Sequence, residues 1–304
     1  MRAMFFDRLK EVIKNDEKIF FLSGDTGFNL IEPLFEIAPK RCINVGVAEQ
    51  NLIGMAAGLC NLGYLPICYA ITNFIVHRCL EQIRNDICLH RHKIILVGTA
   101  TGFDNGGLGG THHILDDIGC MKPLPNINIY SPSGQKSMEI VLKEVMVSNQ
   151  ASFIRITKGD YIEEVPIFTP NHFIVQRPDT DVLVVTHGKM VKYCVEAAVL
   201  LQEFSLFAMD CIKPLDHTQL RQLFSRFGKI IVVEDNFSSG LFNSLCQWAI
   251  EHRIDNPQIY FIGPSEGYEV RIGDAAYLED KYDLNPKKLA ARIALIKCGE
   301  CSNV

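Results

Sequence analysis

Residues 41–64 read RCINVGVAEQNLIGMAAGLCNLGY, and the change of pattern inside this stretch decides the fold. Residues 42–47 form a short, mostly apolar run, which is typical of a strand that is buried on both faces of a sheet. Residues 50–62 follow at once as a glycine- and alanine-rich helical pattern. Glu49 therefore lies at the junction between two segments that both look buried, where a carboxylate needs a physical reason.

The same alternation of strands and helices continues through the first half of the chain. Strand-like runs occupy residues 18–25, 42–47, 66–71, 93–98, 127–132 and 152–157, and helical patterns occupy residues 50–62, 74–88 and 134–148. The strand-like runs are apolar along their length instead of alternating between apolar and polar residues, and helices lie between most of them. This pattern predicts a parallel sheet that is covered on both faces. The predicted fold class is therefore α/β.

A proline-rich break divides the chain into two such units. Residues 163–181 contain three prolines and no sustained period, so we interpret residues 163–180 as a linker. The strand pattern then returns at residues 181–188, 205–210, 229–235 and 258–263, with helical patterns between them. The sequence thus predicts two consecutive parallel-sheet domains, at residues 1–162 and 181–304.

The composition is that of a soluble globular protein. Of the 304 residues, 48% are hydrophobic and 21% are charged, and the net charge of −5 without any basic run argues against nucleic-acid binding. No window approaches the roughly 18 apolar residues of a membrane span, and residues 4–13 read as an amphipathic helix rather than a signal peptide. We therefore expect a cytoplasmic protein with reduced cysteines.

The cysteines give little sign of a metal site. Most lie singly in apolar segments, where cysteine behaves as a small hydrophobe. The one C-x-x-C, Cys298-Gly-Glu-Cys301, lies at the end of the sequence and lacks the other two ligands of a zinc site. We therefore predict no metal ligand in this chain.

Three loops are expected to meet at one edge of the first sheet, because ligands bind beyond the carboxyl ends of parallel strands. Asp25 follows the first strand, Glu49 follows the second, and the loop of residues 99–119 follows the fourth. The glycines at 106–110 let the backbone approach a ligand closely, although a flexible surface loop is the alternative. The histidine doublet at 112–113 comes directly after them, and we expect one histidine to be a site residue and the other to be structural.

Six segments carry a resemblance to a known family. Three segments of the first half resemble the pyrimidine-binding domain of thiamine-diphosphate enzymes of the transketolase family. They are INVGVAEQNLIGMAAGL (43–59), FIVHRCLEQIRNDI (74–87) and GGLGGTHHILDDIGCMKPLPNINIYSP (106–132). Three segments of the second half resemble that family's C-terminal domain, namely DVLVVTHGKMVKYCVEAAVLLQ (181–202), MDCIKPLD (209–216) and VVEDNFSSGLFNSL (232–245). The segments follow the family's order and spacing over nearly the whole chain, so the resemblance implies this pair of domains.

The resemblance implies a catalytic role for Glu49. The family uses a glutamate at this place to hydrogen-bond a ring nitrogen of the cofactor's aminopyrimidine. A carboxyl group in a dry site can hold and share a proton, which favours the imino tautomer that removes the thiazolium proton. A first-turn acid that compensates the helix dipole is the alternative interpretation.

Other residues of the cofactor site follow from the same resemblance. Phe74, together with Tyr69, lies where the family places rings that pack on the pyrimidine, although ordinary core residues would look the same. Arg78, on a charged helix face, is assigned to the cofactor site as well, with a solvated face as the alternative. His112 keeps the family's position and would contact the donor's oxygen or move protons. Glu49 and His112 are thus the predicted catalytic residues.

The resemblance also implies a partner. The family binds the diphosphate and a divalent metal through an N-terminal domain with a Gly-Asp-Gly motif and a downstream asparagine. In the first half of this chain, Gly24-Asp25-Thr26 follows the first strand-like run, but it lies in the wrong domain and no asparagine follows at the right distance. We therefore expect a split enzyme with an α2β2 assembly, in which the diphosphate and Mg²⁺ are held by a separate N-terminal subunit. The active sites would form at the interface between the two chains, and this chain alone would be inactive.

The substrate side departs from the family pattern. Leu108 lies in a glycine loop that lacks both of the family's acidic residues, and Lys158 replaces the phosphate-binding arginine. Asn29 stands near the place of a loop serine, and Asp25 and His113 complete the predicted substrate-binding residues. Losing most of an anion clamp favours a different substrate.

We therefore predict transfer of a two-carbon ketol or acyl unit to a sugar or sugar-derived acceptor that is not an ordinary pentose phosphate. Deoxyxylulose-phosphate synthases and the β subunits of 2-oxoacid dehydrogenases share the two-domain plan and stay open as alternatives. A non-catalytic, regulatory family member is a third. The retention of Glu49 argues against this last alternative, because that residue does chemistry rather than scaffolding.

Overall fold

Two mostly parallel β-sheets form the frame of the protein, in a computed structural model that describes residues 1–159, 169–255 and 257–300. The first sheet contains β1 (Ile19–Ser23), β2 (Cys42–Asn44), β3 (Leu65–Ile71), β4 (Ile95–Thr99), β5 (Ile127–Tyr130), β6 (Ala151–Ile156) and β10 (Cys211–Lys213). The second contains β7 (Asn171–Val175), β8 (Val182–Thr186), β9 (Ser205–Met209), β11 (Lys229–Val233) and β12 (Gln258–Ile262). Their strand orders are β10-β5-β6-β4-β3-β1-β2 and β12-β11-β8-β9-β7, which confirms the predicted α/β fold.

Helices cover both faces of each sheet. The α-helices are α1 (Arg2–Asn15), α2 (Glu32–Ile37), α3 (Glu49–Asn61), α4 (Leu80–Gln82), α5 (Asp117–Met121), α6 (Gln135–Val147), α7 (Met190–Leu200), α8 (His217–Arg226), α9 (Leu241–Glu251), α10 (Ala275–Lys281) and α11 (Pro286–Cys298). Two π-helical segments, Phe74–Arg78 and Ile83–Leu89, flank α4. In the ranges that the structure describes, no helix combines the length and the apolar character that a membrane crossing requires.

One predicted boundary differs from the structure. Strand β7 lies inside residues 163–180, which the sequence predicts to be a linker, and it pairs antiparallel with β9. The second sheet therefore begins before residue 181. The strand is short, follows Pro170 and lies at a sheet edge with mostly half-buried side chains, so it carries no continuous apolar run. Residues 160–168, at the end of the predicted first domain and the start of the linker, lie outside the described residues.

A strand from the second half of the sequence completes the first sheet. β10 pairs antiparallel with β5, directly after β9 has ended in the second sheet. Where the chain passes from one sheet to the other, the backbone N–H of Ser131 donates to the carbonyl of Asp210 at 2.7 Å. The two halves are thus joined by main-chain hydrogen bonds, which the sequence pattern does not predict.

Apolar packing sets the position of Glu49 at the edge of the first sheet. Helix α3 buries Leu52, Ile53 and Ala56 against one face of that sheet, next to Cys68 of β3. The helix follows β2 closely along the chain, so its N-terminus lies at the carboxyl ends of the strands. Glu49 therefore begins the helix at the edge where the sequence predicts a ligand.

A buried ionic network joins the two halves of the chain. Arg155 of β6 is 2% exposed, and its Nε and Nη2 donate to the two carboxylate oxygens of Asp117 at 2.5 and 3.2 Å. In the second half, Asn236 donates to the same carboxylate at 2.8 Å, and Asp235 lies 3.8 Å from Arg155. Because each charge is paired and hydrogen-bonded, the cost of burying it is offset.

We expect Asp117→Asn to lower the free energy of unfolding by about 3–5 kcal/mol, because it leaves the Arg155 guanidinium buried without its main counter-charge. Chemical denaturation followed by circular dichroism measures the change. The matched control is Asp7→Asn, which removes an exposed ion pair with Lys10 and should cost less than about 1 kcal/mol. Equal effects of the two substitutions would contradict this role of the network.

Asp210 is a second buried carboxyl group, at the passage between the two sheets. Its Oδ2 accepts a hydrogen bond from Ser133 Oγ at 2.7 Å, and burial raises its pKa to about 7. The unfolded carboxyl ionises near about pH 4, so between about pH 4 and pH 7 the folded state holds a proton that the unfolded state has lost. The contribution of Asp210 to stability is therefore lost progressively as the pH rises through this window.

Asp210→Asn should remove this dependence, since an amide does not titrate. The stability of the variant relative to the parent should rise by up to about 1.4 kcal/mol per pH unit across the same window. Urea unfolding at a series of pH values measures the difference, and Asp7→Asn, which changes an exposed carboxylate, is the matched control. Parallel profiles for Asp210→Asn and the parent would show that another group titrates.

Candidate active site

Glu49 is a buried carboxylate at the N-terminus of α3. It is the first residue of the helix and is 3% exposed. Its Oε2 accepts a hydrogen bond from Arg78 Nη1 at 2.9 Å, whereas its Oε1 receives none from the described residues. Gly24 lies next to the carboxylate, since a Cβ at this position would stand in van der Waals contact with Glu49 Cγ, at 3.5 Å. The helix N-terminus and Arg78 both favour the negative charge, so the acid is tolerated in this position.

An aromatic ring lies beside this carboxylate. Phe74 and Arg78 are the first and last residues of a π-helical segment, and the Arg78 guanidinium carbon lies 4.0 Å from the centroid of the Phe74 ring. The His112 ring meets the Phe74 ring edge-on, with 5.2 Å between the centroids. The structure thus brings four predicted site residues together, and we call Glu49, Arg78, Phe74 and His112 the carboxylate–aromatic cluster.

The glycine-rich loop holds His112 in this cluster. Asn73 donates from Nδ2 to the Thr111 carbonyl at 2.6 Å, which ties the π-helical segment to the loop. Thr111 Oγ1 and His112 Nδ1 are 2.8 Å apart, within hydrogen-bond distance. Gly109 has a φ of +76°, which residues with a Cβ rarely adopt, so the turn that leads into Thr111 requires a glycine.

His113 has different surroundings from His112. It is 7% exposed, its ring lies 5.6 Å from that of Phe103, and neither ring nitrogen makes a hydrogen bond of good geometry with the described residues. Burial lowers its pKa, which keeps the imidazole neutral near pH 7. It lines a cavity of about 120 Å³ together with His77, Asp116 and Glu269.

Tyr69 lies apart from the cluster. It is fully buried and packs against Phe5 and Phe6 of α1. Successive residues of a strand point to opposite faces of the sheet, and in β3 this alternation directs Cys68 toward α3 and Tyr69 away from it. In contrast to the prediction, the structure therefore gives Tyr69 a place in the core and not beside Phe74.

Three predicted substrate-binding residues are exposed on loops that follow the strands. Asp25 and Asn29, in the loop after β1, have φ values of +53° and +66°. Asp25 Oδ1 accepts a hydrogen bond from Asn44 Nδ2 at 2.9 Å, which joins the loop after β1 to the last residue of β2. Leu108 is 58% exposed in the glycine-rich loop. All three lie on the loops where the sequence predicts the substrate.

Lys158 lies against the glycine-rich loop. Its Nζ donates to Asn105 Oδ1 at 2.5 Å, and its backbone N–H donates to Asp104 Oδ2 at 2.6 Å. Burial lowers the pKa of the lysine, and the nearby Arg2 lowers it further. The carboxylate of Asp104 acts in the opposite direction and raises the pKa.

His77 is a candidate that the sequence analysis does not single out. Its Nε2 lies 3.1 Å from Asp116 Oδ1, and hydrogen bonds to Asp116 and Cys120 raise its pKa to about 10. The only signal in the sequence is its position within FIVHR, between Phe74 and Arg78. Sequence spacing places His77 on the helix, but only the fold shows that it meets Asp116.

Both halves of the chain match models of known domain families. Residues 1–163 match the transketolase pyrimidine-binding domain, and residues 172–289 match the transketolase C-terminal domain. One subunit of an apulose-4-phosphate transketolase from Actinobacillus succinogenes is 29% identical over 256 residues, which cover 81% of this chain and 82% of the relative. A 6-deoxy-6-sulfo-D-fructose transketolase subunit from Clostridium sp. strain MSTE9 is 24% identical over 297 residues, covering 95% of this chain and 92% of the relative.

A solved structure shares the whole arrangement. A split-gene transketolase, described as an inactive β4 tetramer, matches with a TM-score of 0.83 and 25% identity over 96% of each chain. The match to the pyrimidine-binding domain alone spans more than half of this chain, and the relatives align over most of their length. The resemblance predicted from the sequence is thereby confirmed. The chain belongs to the transketolase family of thiamine-diphosphate-dependent enzymes, as a subunit made of the pyrimidine-binding and C-terminal domains.

Proposed function

We propose that this chain is the C-terminal subunit of a two-chain, transketolase-like enzyme that transfers a two-carbon ketol or acyl unit. The observation that carries the proposal is the carboxylate–aromatic cluster, in which Arg78 brings the Glu49 carboxylate and the Phe74 ring together. A buried acid at a helix start would otherwise be an unfavourable choice for a core position. Its place at the carboxyl edge of a parallel sheet supports a role in ligand binding.

The cluster fits the aminopyrimidine end of thiamine diphosphate. A nearly buried carboxyl group can hold a proton against a ring nitrogen, and an aromatic face can pack on a planar heterocycle. When bound, thiamine diphosphate supplies the nucleophilic carbon for the transfer. Glu49 would hold and share a proton at its carboxyl group, and Phe74 would pack on the ring. His112 would contact the donor's oxygen or carry a proton.

Arg78 already engages both groups that the cofactor would use. Its guanidinium is paired with Glu49 Oε2 and lies over the Phe74 ring. Arg78 must therefore move when the pyrimidine binds. Because the Arg78 side chain is 47% exposed, water can solvate the guanidinium once it leaves Glu49, which lowers the cost of this exchange.

The diphosphate end of the cofactor is assigned to a partner chain. One relative is named as a subunit of its transketolase, and the β4 tetramer of a split-gene transketolase is described as inactive. Mg²⁺ is usually held by one or two carboxylates together with substrate phosphates, and the family carries those ligands in its N-terminal domain. We therefore propose that the diphosphate and Mg²⁺ are held by an N-terminal subunit, with active sites at the interfaces of an α2β2 assembly.

The substrate is proposed to be an anionic sugar or sugar derivative other than an ordinary pentose phosphate. The names of two relatives specify a sugar phosphate and a sulfonated sugar. Lys158 supplies positive charge at the glycine-rich loop, where Leu108 is exposed. The other residues that we propose for substrate binding are Asp25, Asn29 and His113. Turnover with a panel of phosphorylated, sulfonated and neutral acceptors measures this preference. Efficient use of ordinary pentose phosphates would overturn it.

Glu49→Gln should lower turnover of the assembled enzyme by about 100-fold or more, because a glutamine cannot hold and share the proton. Solvent exchange of the cofactor's thiazolium proton, followed by NMR, should slow by a similar factor, whereas cofactor affinity from calorimetry should change far less. The matched control is Glu81→Gln, at an exposed glutamate on neighbouring α4. This variant should keep the parent's rates of turnover and of thiazolium proton exchange. Unchanged proton exchange in Glu49→Gln would remove Glu49 from the mechanism.

Arg78→Ala should strengthen binding of thiamine diphosphate to the assembled enzyme by up to about fivefold, because the ion pair with Glu49 no longer has to be broken. Calorimetric titration measures the affinity. Arg84→Ala, at an exposed arginine in the following π-helical segment, serves as the control and should leave affinity unchanged. Weaker binding by Arg78→Ala would instead show that Arg78 contacts the bound cofactor.

A further inference from the structure

Three potential metal ligands lie together beside the proposed cofactor site. His77, Asp116 and Cys120 each offer one ligand atom, and these atoms all lie within 4.8 Å of one another. His77 and Asp116 are in direct contact, with 3.1 Å between Nε2 and Oδ1. Within the described residues this is the one group of three or more histidine, cysteine and acidic side chains that is close enough to hold a single ion.

Local structure explains why these three side chains meet. Asp116 is the N-cap of α5 and Cys120 follows four residues later, so both side chains lie on the same side of this helix. His77 belongs to the π-helical segment Phe74–Arg78, which packs against α5. Two elements that are held in place by the fold therefore deliver the three ligands.

A cavity with a mixed lining of polar and apolar side chains, the latter including Ile114 and Phe237, lies next to these ligands. Its volume is about 120 Å³, and it is lined by His77 and Asp116 together with Asn73, His113 and Glu269. His113 is 7% exposed, and neither of its ring nitrogens has a hydrogen-bond partner of good geometry among the described residues. A buried polar group without a partner costs free energy unless water or a ligand satisfies it. The His113 imidazole, whose contact with the Glu269 backbone is not a well-formed hydrogen bond, is thus a polar group that a ligand in this cavity could satisfy.

We propose that His77, Asp116 and Cys120 form a site for a borderline-soft divalent metal ion of the zinc class, with the fourth coordination position open toward this cavity. Imidazole, carboxylate and thiolate ligands suit zinc, whereas Mg²⁺ prefers oxygen ligands. Zinc bond lengths of about 2.0–2.3 Å in a tetrahedron place neighbouring ligand atoms roughly 3.3–3.8 Å apart. Small side-chain movements bring the observed group to that geometry.

A metal at this site links two elements of the proposed active site. Phe74 and Arg78 lie on the same π-helical segment as His77, and α5 follows the loop that carries His112. Coordination therefore fixes the backbone of the π-helical segment against α5. The site is separate from the Mg²⁺ assigned to the partner chain, and metal binding here does not depend on the proposed transfer reaction.

Cobalt binding to the full chain, followed by visible and near-ultraviolet absorption, tests this site. All proteins carry Cys298→Ser, which removes the terminal C-x-x-C as a competing thiolate site. Tetrahedral Co²⁺ with a thiolate ligand shows strong visible bands and a sulfur-to-cobalt charge-transfer band, so we expect both at one equivalent and their loss when Zn²⁺ displaces Co²⁺. Cys120→Ser should abolish the charge-transfer band, and His77→Gln should weaken cobalt affinity by at least about tenfold.

The matched control is Cys246→Ser, because Cys246 is a half-buried cysteine outside this group, and it should keep the full spectrum. Zn²⁺ should raise the unfolding temperature of the Cys298→Ser parent and of this control but not of Cys120→Ser. His77 is 40% exposed, so His77→Gln keeps the fold and tests the site independently of Cys120. Absence of the charge-transfer band in the parent, or an equal loss in Cys246→Ser, would overturn the proposal.

Discussion

Burial of the Glu49 carboxylate is the constraint on which the rest of the site depends. An acid that is 3% exposed must be paired, and in this chain its partner is Arg78. Helix α3 fixes the acid at the carboxyl edge of the first sheet, and the start of the helix favours its charge. Since Arg78 also lies over Phe74, we propose that a cofactor ring would displace the arginine from both groups, with the acid then holding a proton against the ring nitrogen.

The second constraint is the contact between the two halves of the chain. Arg155 and Asp117 form its buried centre, and Asn236 extends it into the second half. Asp117 begins the short helix α5. Its near neighbours in the sequence, Asp116 and Cys120, lie beside His77 of the π-helical segment. The same short helix therefore takes part in the contact between the two halves and packs against the π-helical segment of the candidate site.

Much of the fold can be predicted, because continuous apolar runs and helical periods mark the parallel strands and their crossover helices. Strands β7 and β10 cannot be predicted in this way, because each is a short edge strand whose pairing is decided by tertiary contacts. Glu49 can be found from its place between strand and helix. The predicted place of Tyr69 is wrong because the face that a strand residue takes depends on register, and His77 escapes prediction because helical spacing does not show which face meets α5.

Calorimetric titration of thiamine diphosphate with Mg²⁺ tests the central claim most directly, namely that the cofactor site is divided between two chains. The titration is made on this chain alone, on the N-terminal subunit alone and on the two together. We expect saturable binding only in the mixture, because we propose that the ring-binding residues lie in this chain and the diphosphate and Mg²⁺ ligands in its partner. Full-affinity binding to this chain alone, or no binding in the mixture, would contradict a divided site.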